Sequence, residues 1–308
     1  MNKNDKIYIA GHNGLVGSAL FRLLTNLGYT NIITRTRVEL DLTNQLAVTN
    51  FFETTKPDYV FLAAAKVGGI NYNKTYPAEF IYENLQIQNN IIHNSYLNKV
   101  TKLLFLGSSC IYPKENPLPI NENRLLCGPL EPTNEAYALA KIVGLKMCEY
   151  YKKQYGCNFI SVMPCNLYGP NDCFDLEKSH VISALLKKFD TAKNNNTQEI
   201  VMWGTGAAKR EFLYVDDLAE ALLFLMNTYE GDFVNIGSGT EISMGELYQE
   251  VSKTVMYSGK LVFDTSKPDG TISKLMDVNK ILSLGWKPKT DIRTGLRLAY
   301  DWYLNNKR

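Results

Sequence analysis

Apolar and polar positions fall into a repeating pattern along this chain. Short runs at residues 6–10, 31–34, 58–65, 103–106, 159–163 and 233–236 are largely apolar. Such runs suit strands buried on both faces of a parallel sheet. Between them lie stretches with helical spacing of apolar residues, at 18–27, 46–55, 77–98 and 137–153. The 77–98 stretch opens on Pro77 and has no further Pro or Gly, so nothing interrupts a long helix. Strand and helix in strict alternation predict an α/β protein with a doubly wound, Rossmann-type parallel sheet.

After residue 170 the pattern changes. Residues 171–177 are polar and irregular, and a helix begins at His180 and carries Lys187 and Lys188. Residues 166–170 read as a loop at the sheet's carboxyl edge, and 194–197 as a loop tip. Asp216 or Asp217 reads as the N-cap of a helix reaching Asn227. A strand at 261–263, a turn at 267–270, and helices near Val278 and over 294–305 complete the chain. Two parts are expected: a dinucleotide-binding domain over 1–170, and a smaller substrate lobe over 171–308. Some elements of the lobe are expected to return to the main sheet.

Composition narrows the class. The chain has 308 residues, 45% of them hydrophobic, with net charge +2. That is enough for a large core, and the near-balanced charge gives no electrostatic case for a nucleic-acid partner. No apolar run is long enough to cross a bilayer and none resembles a signal peptide, so no membrane association is expected. Six cysteines, at 110, 127, 148, 157, 165 and 173, lack Cys-x-x-Cys spacing. A reduced, cytoplasmic protein is expected. With His only at 12, 93 and 180, no metal site is expected.

The chemistry-bearing residues sit where the first part's strands end. Gly11, Gly14 and Gly17 follow the first strand and open the first helix. That placement matches a dinucleotide fingerprint, in which glycines allow a tight turn and close approach to a pyrophosphate. The second strand runs into Arg35-Thr36-Arg37; arginine suits a 2′-phosphate, whereas an acid would bind a ribose hydroxyl. Glu39 and Asp41 follow, so the sign is mixed. Small residues Ala63, Ala64 and Ala65 end the third strand, and Leu106-Gly107-Ser108-Ser109 ends the fourth. Tyr137 and Lys141 are four apart and share a helix face. A cation beside a phenol lowers its pKa from ~10, which would suit Tyr137 to proton donation. Ser, Tyr and Lys together can polarise a ketone and protonate the alkoxide left by hydride addition. The Tyr-x-x-x-Lys spacing alone is common on helices.

These residues, taken with longer stretches, carry a resemblance. The glycine loop with Ser108, Tyr137 and Lys141 resembles the extended short-chain dehydrogenase/reductases. More narrowly, residues 11–14, 35–37, 63–69, 107–113, 131–135, 166–170 and 179–182 resemble the GDP-L-fucose synthase family. The resemblance implies an NADP(H)-dependent enzyme. It would convert GDP-4-keto-6-deoxy-D-mannose to GDP-L-fucose by epimerisation at C3 and C5 and reduction at C4. By matching positions, Ser108, Tyr137 and Lys141 would form the reduction set, Cys110 the base and His180 the acid of epimerisation. NADP(H) would lie against Gly11, Asn13, Gly14, Leu15, Val16, Gly17, Arg35, Arg37, Asp41, Leu42, Ala63, Ala64, Ala65, Leu106, Gly107, Ser108, Tyr137, Lys141, Pro164, Asn166, Leu167 and His180. The GDP-sugar would meet Ser109, Cys110, Asn166, Lys188, Trp203, Arg210 and Asp269. A homodimer through the helices at 77–98 and 137–153 is also implied.

Some positions depart from the family pattern. Asn13 and Lys188 each stand where an Arg is usual, Cys165 replaces a Thr, and residues 173–178 differ. Because these surround the sugar site, a C4 reductase of a related GDP-sugar, such as a 6-deoxy-heptose, is the runner-up. A non-catalytic NADP-sensing protein on the same fold is a more distant alternative.

Overall fold

The computed structural model describes residues 1–175, 179–267 and 269–307. Leu176, Glu177 and Lys178 of the divergent segment, and Pro268 of the 267–270 turn, lie outside the described residues.

The first apolar run forms β1 (Ile7–Ala10), followed by α1 (Leu15–Asn26), β2 (Ile32–Ile33), α2 (Gln45–Thr55) and β3 (Tyr59–Leu62). A short α3 (Ile70–Thr75), a long α4 (Pro77–Leu97), β4 (Lys102–Leu106), α5 (Glu135–Tyr155) and β5 (Phe159–Pro164) come next. With β9 (Phe233–Ile236) these strands make a six-stranded sheet, ordered β2-β1-β3-β4-β5-β9, with every pair parallel. The side chains of β1, β4 and β5 are buried on both faces, consistent with their continuous apolar runs. The order turns about β1, so the crevice at the carboxyl ends of β1 and β3 is the topological switch point where ligands bind in such sheets.

Residues beyond 165 build two small sheets. β6 (Asn166–Tyr168) pairs with β8 (Lys209–Tyr214), which pairs with β10 (Glu241–Ser243). β7 (Glu199–Trp203) pairs with β11 (Lys260–Asp264). Residues 166–168 are therefore a strand, not the loop expected. Helices α6 (Val181–Asn194), α8 (Met244–Val255) and α10 (Ile292–Asn306) cover them, burying a second core that includes Leu186, Phe189, Leu247 and Leu296. β8 is the seam between the cores. Phe212 and Tyr214 face the second core, while Leu213, between them, faces the first, as strand alternation requires. α7 (Val215–Thr228), α9 (Asn279–Ser283) and β9 pack back onto the main sheet.

One capping expectation is corrected. The residue before α7 is Tyr214, and Asp216 and Asp217 lie within the first turn. Their carboxylates point outward to other partners. Asp216 pairs with Arg22 of α1 at 2.6 Å. Asp217 accepts the Lys289 and Thr290 amides at 3.0 and 2.8 Å, anchoring the segment before α10.

Candidate active site

The glycine loop has the shape of a phosphate cradle. Gly11 takes φ +89°, and a Cβ there would lie 2.7 Å from the Ala64 backbone at the end of β3. A Cβ on Gly17 would lie 2.1 Å from the Gly11 carbonyl oxygen. These glycines let loop, helix and neighbouring strand close on one another. Gly14 precedes α1 with no side-chain cap, and the first turn carries no acid. The free amides and positive helix end suit an anion. The buried Nδ1 of His12, in the same loop, has no protein partner.

Beyond β2, Arg35 donates to the Thr34 carbonyl at 2.7 Å and lies 5.6 Å from the Phe51 ring. Arg37 is exposed and only loosely paired with Glu83, at 3.5 Å. The acids that made the sequence sign mixed are held in local turns, though Glu39 still feels Arg35 and Asp41 feels Arg37. Glu39 accepts from the Thr36 amide and hydroxyl at 2.7 and 2.8 Å, and Asp41 accepts from those of Thr43 at 3.0 and 2.8 Å. Leu42 is tied by its carbonyl to Asn90 of α4 at 2.9 Å. Two exposed arginines beyond β2, with the acids held in local turns, fit a 2′-phosphorylated dinucleotide. The Gly11–Ala64 contact brings the Ala63, Ala64 and Ala65 strand end against this cradle.

Four of the expected catalytic groups converge past β4. Ser108 is extended, and its Oγ accepts the Cys110 amide at 3.4 Å, starting a 3₁₀ turn over Ser109–Ile111. Tyr137 and Lys141 come from the first turns of α5, which is fixed against α4 by Gln88 donating to the Ala140 carbonyl at 2.7 Å. The Ser108 hydroxyl lies beside both the Tyr137 phenol and the Cys110 thiol and favours the ionised form of each.

Electrostatics here differ from the sequence expectation. Lys141 is 3% exposed, and its ammonium donates to the Leu106 carbonyl at 2.8 Å. Burial pushes its pKa down to about 8. Its Nζ is 5.7 Å from the Tyr137 ring centroid. Tyr137 is not pulled down by this cation; burial, then the nearby Cys110, push the phenol up, with Ser108 opposing. Burial likewise pushes the Cys110 thiol up, opposed first by Ser108 and then by Lys274 and Lys141. The cost of a buried anion exceeds the cations' pull in the ligand-free cleft. Tyr137 is thereby held protonated, the state a proton donor needs.

The remaining predicted residues occupy the second lobe and its junction. Asn166, just past Pro164, donates to the Glu211 carbonyl at 2.8 Å, and Leu167 pairs with Leu213 in β8. His180 precedes α6; its imidazole is 47% exposed and its Nδ1 is 3.8 Å from Asp172 Oδ1. Lys188 donates to the Val201 carbonyl at 2.7 Å, two residues before Trp203, which is 70% exposed. Asp269 accepts from the Thr205 amide and hydroxyl, both at 2.6 Å, just past Trp203. Arg210 donates to the Thr271 carbonyl at 2.7 Å. Lys188, Trp203, Asp269 and Arg210 thus form one linked rim.

Sequence reasoning missed three groups. Lys274 lies electrostatically beside Cys110, Arg210 and Glu131, with its pKa lowered by burial. Its amide donates to Glu241 at 2.9 Å, the Ile120 amide donates to the neighbouring Leu275 carbonyl at 2.8 Å, and Asn235 donates to the Ile120 and Asp277 carbonyls at 3.0 and 3.2 Å. Glu211, fully buried, accepts the Gly239 and Met276 amides at 2.8 and 3.1 Å. Asp172 faces His180. None belongs to a local motif, although Glu211 adjoins Arg210 and Asp172 lies in the irregular 171–177 segment.

A glycine cradle beside clustered Ser108, Tyr137 and Lys141 is the arrangement of a dinucleotide-dependent enzyme. Comparison with known proteins gives the family. Residues 7–237 match the model of the NAD dependent epimerase/dehydratase family. GDP-L-fucose synthase 1 of Arabidopsis thaliana is 57% identical over 99% of this chain and 95% of its own length. A Naegleria fowleri GDP-L-fucose synthetase structure bound to NADP superposes with TM-score 0.94 at 31% identity, covering 99% of this chain and 94% of that one. A GDP-6-OMe-4-keto-L-xylo-heptose reductase from C. jejuni superposes equally well, TM-score 0.94, at 41% identity over 100% of this chain and 99% of that one. The chain belongs to the NAD-dependent epimerase/dehydratases, within their GDP-L-fucose synthase family.

Proposed function

We infer that this protein converts GDP-4-keto-6-deoxy-D-mannose to GDP-L-fucose, inverting C3 and C5 and then reducing C4 at one site. The observation that carries this is the clustering of Ser108, the Tyr137 phenol and Cys110 past the end of β4. A C4 ketone acidifies the protons on C3 and C5, because the carbanion delocalises onto the carbonyl oxygen. Ser108 and Tyr137, aimed at that one oxygen, stabilise both the enolate of inversion and the alkoxide of reduction. Cys110, two residues beyond Ser108, is placed to remove a proton, and His180 of the second lobe to return one.

NADPH, when bound in the glycine cradle, supplies the hydride to C4. Tyr137 then protonates the C4 oxygen, and Lys141 holds the end of β4 in place through the Leu106 carbonyl. Cys110 acts as the base in its thiolate form, its proton lost to solvent beforehand; burial disfavours that form, and Ser108, then Lys274 and Lys141, favour it. On the rim, Arg210 and Lys188 are the cations for the diphosphate, with Trp203 as an apolar wall. Residues 1–170 carry the cofactor and 171–308 most of the substrate contacts.

Several exposed apolar side chains lie on α4 and α5, among them Tyr82, Val143 and Tyr150, at 62, 41 and 57% exposure. They support a homodimer through these helices. No helix among the described residues is long and apolar enough to cross a membrane. The unbridged cysteines support a reducing, cytoplasmic setting.

A heptose C4 reductase is the second reading, favoured by the C. jejuni superposition. The higher identity to a GDP-L-fucose synthase, 57% against 41%, places it second. Incubation with NADPH and GDP-4-keto-6-deoxy-D-mannose, with NMR of the product, separates them. GDP-L-fucose supports the first reading. GDP-D-rhamnose, or turnover only on the heptose analogue, supports the second.

A further inference from the structure

We propose that Asp172 is a positioning residue for His180: it holds Nδ1–H of the imidazole and leaves Nε2 to deliver the proton. The inference rests on the reading that His180 is the acid of inversion. The Asp172 carboxylate is 4% exposed. It is fixed by two hydrogen bonds, with Oδ1 accepting the Cys173 amide at 2.8 Å and Oδ2 accepting the Ser183 hydroxyl at 2.7 Å. Ser183 lies in the first turn of α6, and its hydroxyl is also 3.3 Å from the His180 carbonyl. One carboxylate therefore ties the segment after β6 to the start of the helix that presents His180. Asp172 itself is held by its amide donating to the Gly169 carbonyl at 3.3 Å.

From this anchored position Oδ1 lies 3.8 Å from His180 Nδ1. That is ion-pair distance, and a small rotation of the half-exposed ring brings it to hydrogen-bond length. A neutral imidazole has two tautomers, and the partner of one nitrogen decides which is populated. A carboxylate at Nδ1 selects Nδ1–H, the logic by which a buried acid orients a catalytic histidine. In the step proposed for His180, the Nε2–H bond breaks and a C–H bond forms from the enolate electron pair. The enolate oxygen becomes the ketone again. The ring left behind is the neutral Nδ1–H tautomer, which Asp172 already favours, so no tautomer exchange is needed between turnovers.

The experiment uses full-length protein labelled with ¹⁵N-histidine. Only His12, His93 and His180 contribute, and the His180→Asn spectrum assigns the His180 ring. With the ring neutral, the unsubstituted protein is expected to show Nδ1–H at His180. Asp172→Ala, which removes the oxygen facing Nδ1, is expected to shift the ring to Nε2–H. It should also slow solvent deuterium wash-in at the inverted carbon about tenfold or more, a part of the ~10²–10⁴ a general acid supplies, with NADPH affinity unchanged. An Nε2–H tautomer in the unsubstituted protein overturns the proposal without any variant. So does an unchanged tautomer in folded Asp172→Ala. If the tautomer shifts while His180→Asn leaves wash-in intact, the Asp172–His180 pairing stands and the assignment of His180 as the acid is what fails.

Discussion

The Lys141 ammonium donates to the Leu106 carbonyl across 2.8 Å, fastening the first turns of α5 to the end of β4. Tyr137 and Ser108 ride on those two elements, so this bond fixes their spacing. Burial holds the Lys141 pKa at about 8. The charged form therefore predominates at neutral pH and is lost as pH rises through that value. In the kcat/KM profile for C4 reduction, an alkaline limb with apparent pKa about 8 is expected. Lys141→Met should be slow at every pH and lack the limb. A limb unchanged in Lys141→Met would assign it to another group.

Tyr137→Phe should lower C4 reduction by ~10²–10⁴-fold, the usual contribution of a general acid. The ring is retained and Phe80 still packs edge-on to it at 6.2 Å, so NADPH binding should survive. Stopped-flow reduction together with cofactor titration checks both. Reduction at near the unsubstituted rate would exclude Tyr137 as the donor.

NADPH should be preferred over NADH, because Arg35 and Arg37 are exposed beyond β2 while Glu39 and Asp41 are held by Thr36 and Thr43. Arg35→Ala should reduce the ratio of the two kcat/KM values. An unchanged ratio would move the selectivity to Asn13 and the glycine loop.

Glu211 makes stability depend on pH. Burial, with Glu241 adding to it, raises its pKa to about 7 from 4.5, against the pull of the Met276 and Gly239 amides. Since the folded-state value is the higher one, its contribution is full below the unfolded pKa and is lost as pH rises through about 7. The shift corresponds to roughly 3 kcal/mol. Chemical denaturation should show the protein weakening relative to Glu211→Gln between pH 5 and pH 8. An equal stability difference at both pH values would contradict this.

Much of this was legible in the chain itself. The parallel strands announced themselves as unbroken apolar runs, and the glycine loop declared its purpose by sitting between a strand and a helix. Tyr137 and Lys141 could be paired by helix spacing alone. What could not be read depends on distant partners. Strand β6 is too short to have a pattern and exists because β8 pairs with it. Lys274 is brought beside Cys110 by partners distant in sequence, Glu241 holding its amide and Ile120 bonding its neighbour Leu275. The direction of the Tyr137 shift reversed because burial, a tertiary quantity, outweighs a cation four residues away. The Ser243–Glu246 capping box at α8 was a local sign left unused.

The most direct measurement of one-site epimerisation and reduction is the deuterium content of the product formed in D₂O with NADPH. Unsubstituted enzyme should give GDP-L-fucose with solvent deuterium at both C3 and C5 and the NADPH hydrogen at C4. Cys110→Ser and His180→Asn should each suppress deuterium at C3 and C5 more than they slow hydride transfer. A product carrying solvent deuterium at neither carbon, or full incorporation persisting in both variants, would contradict the roles assigned to Cys110 and His180.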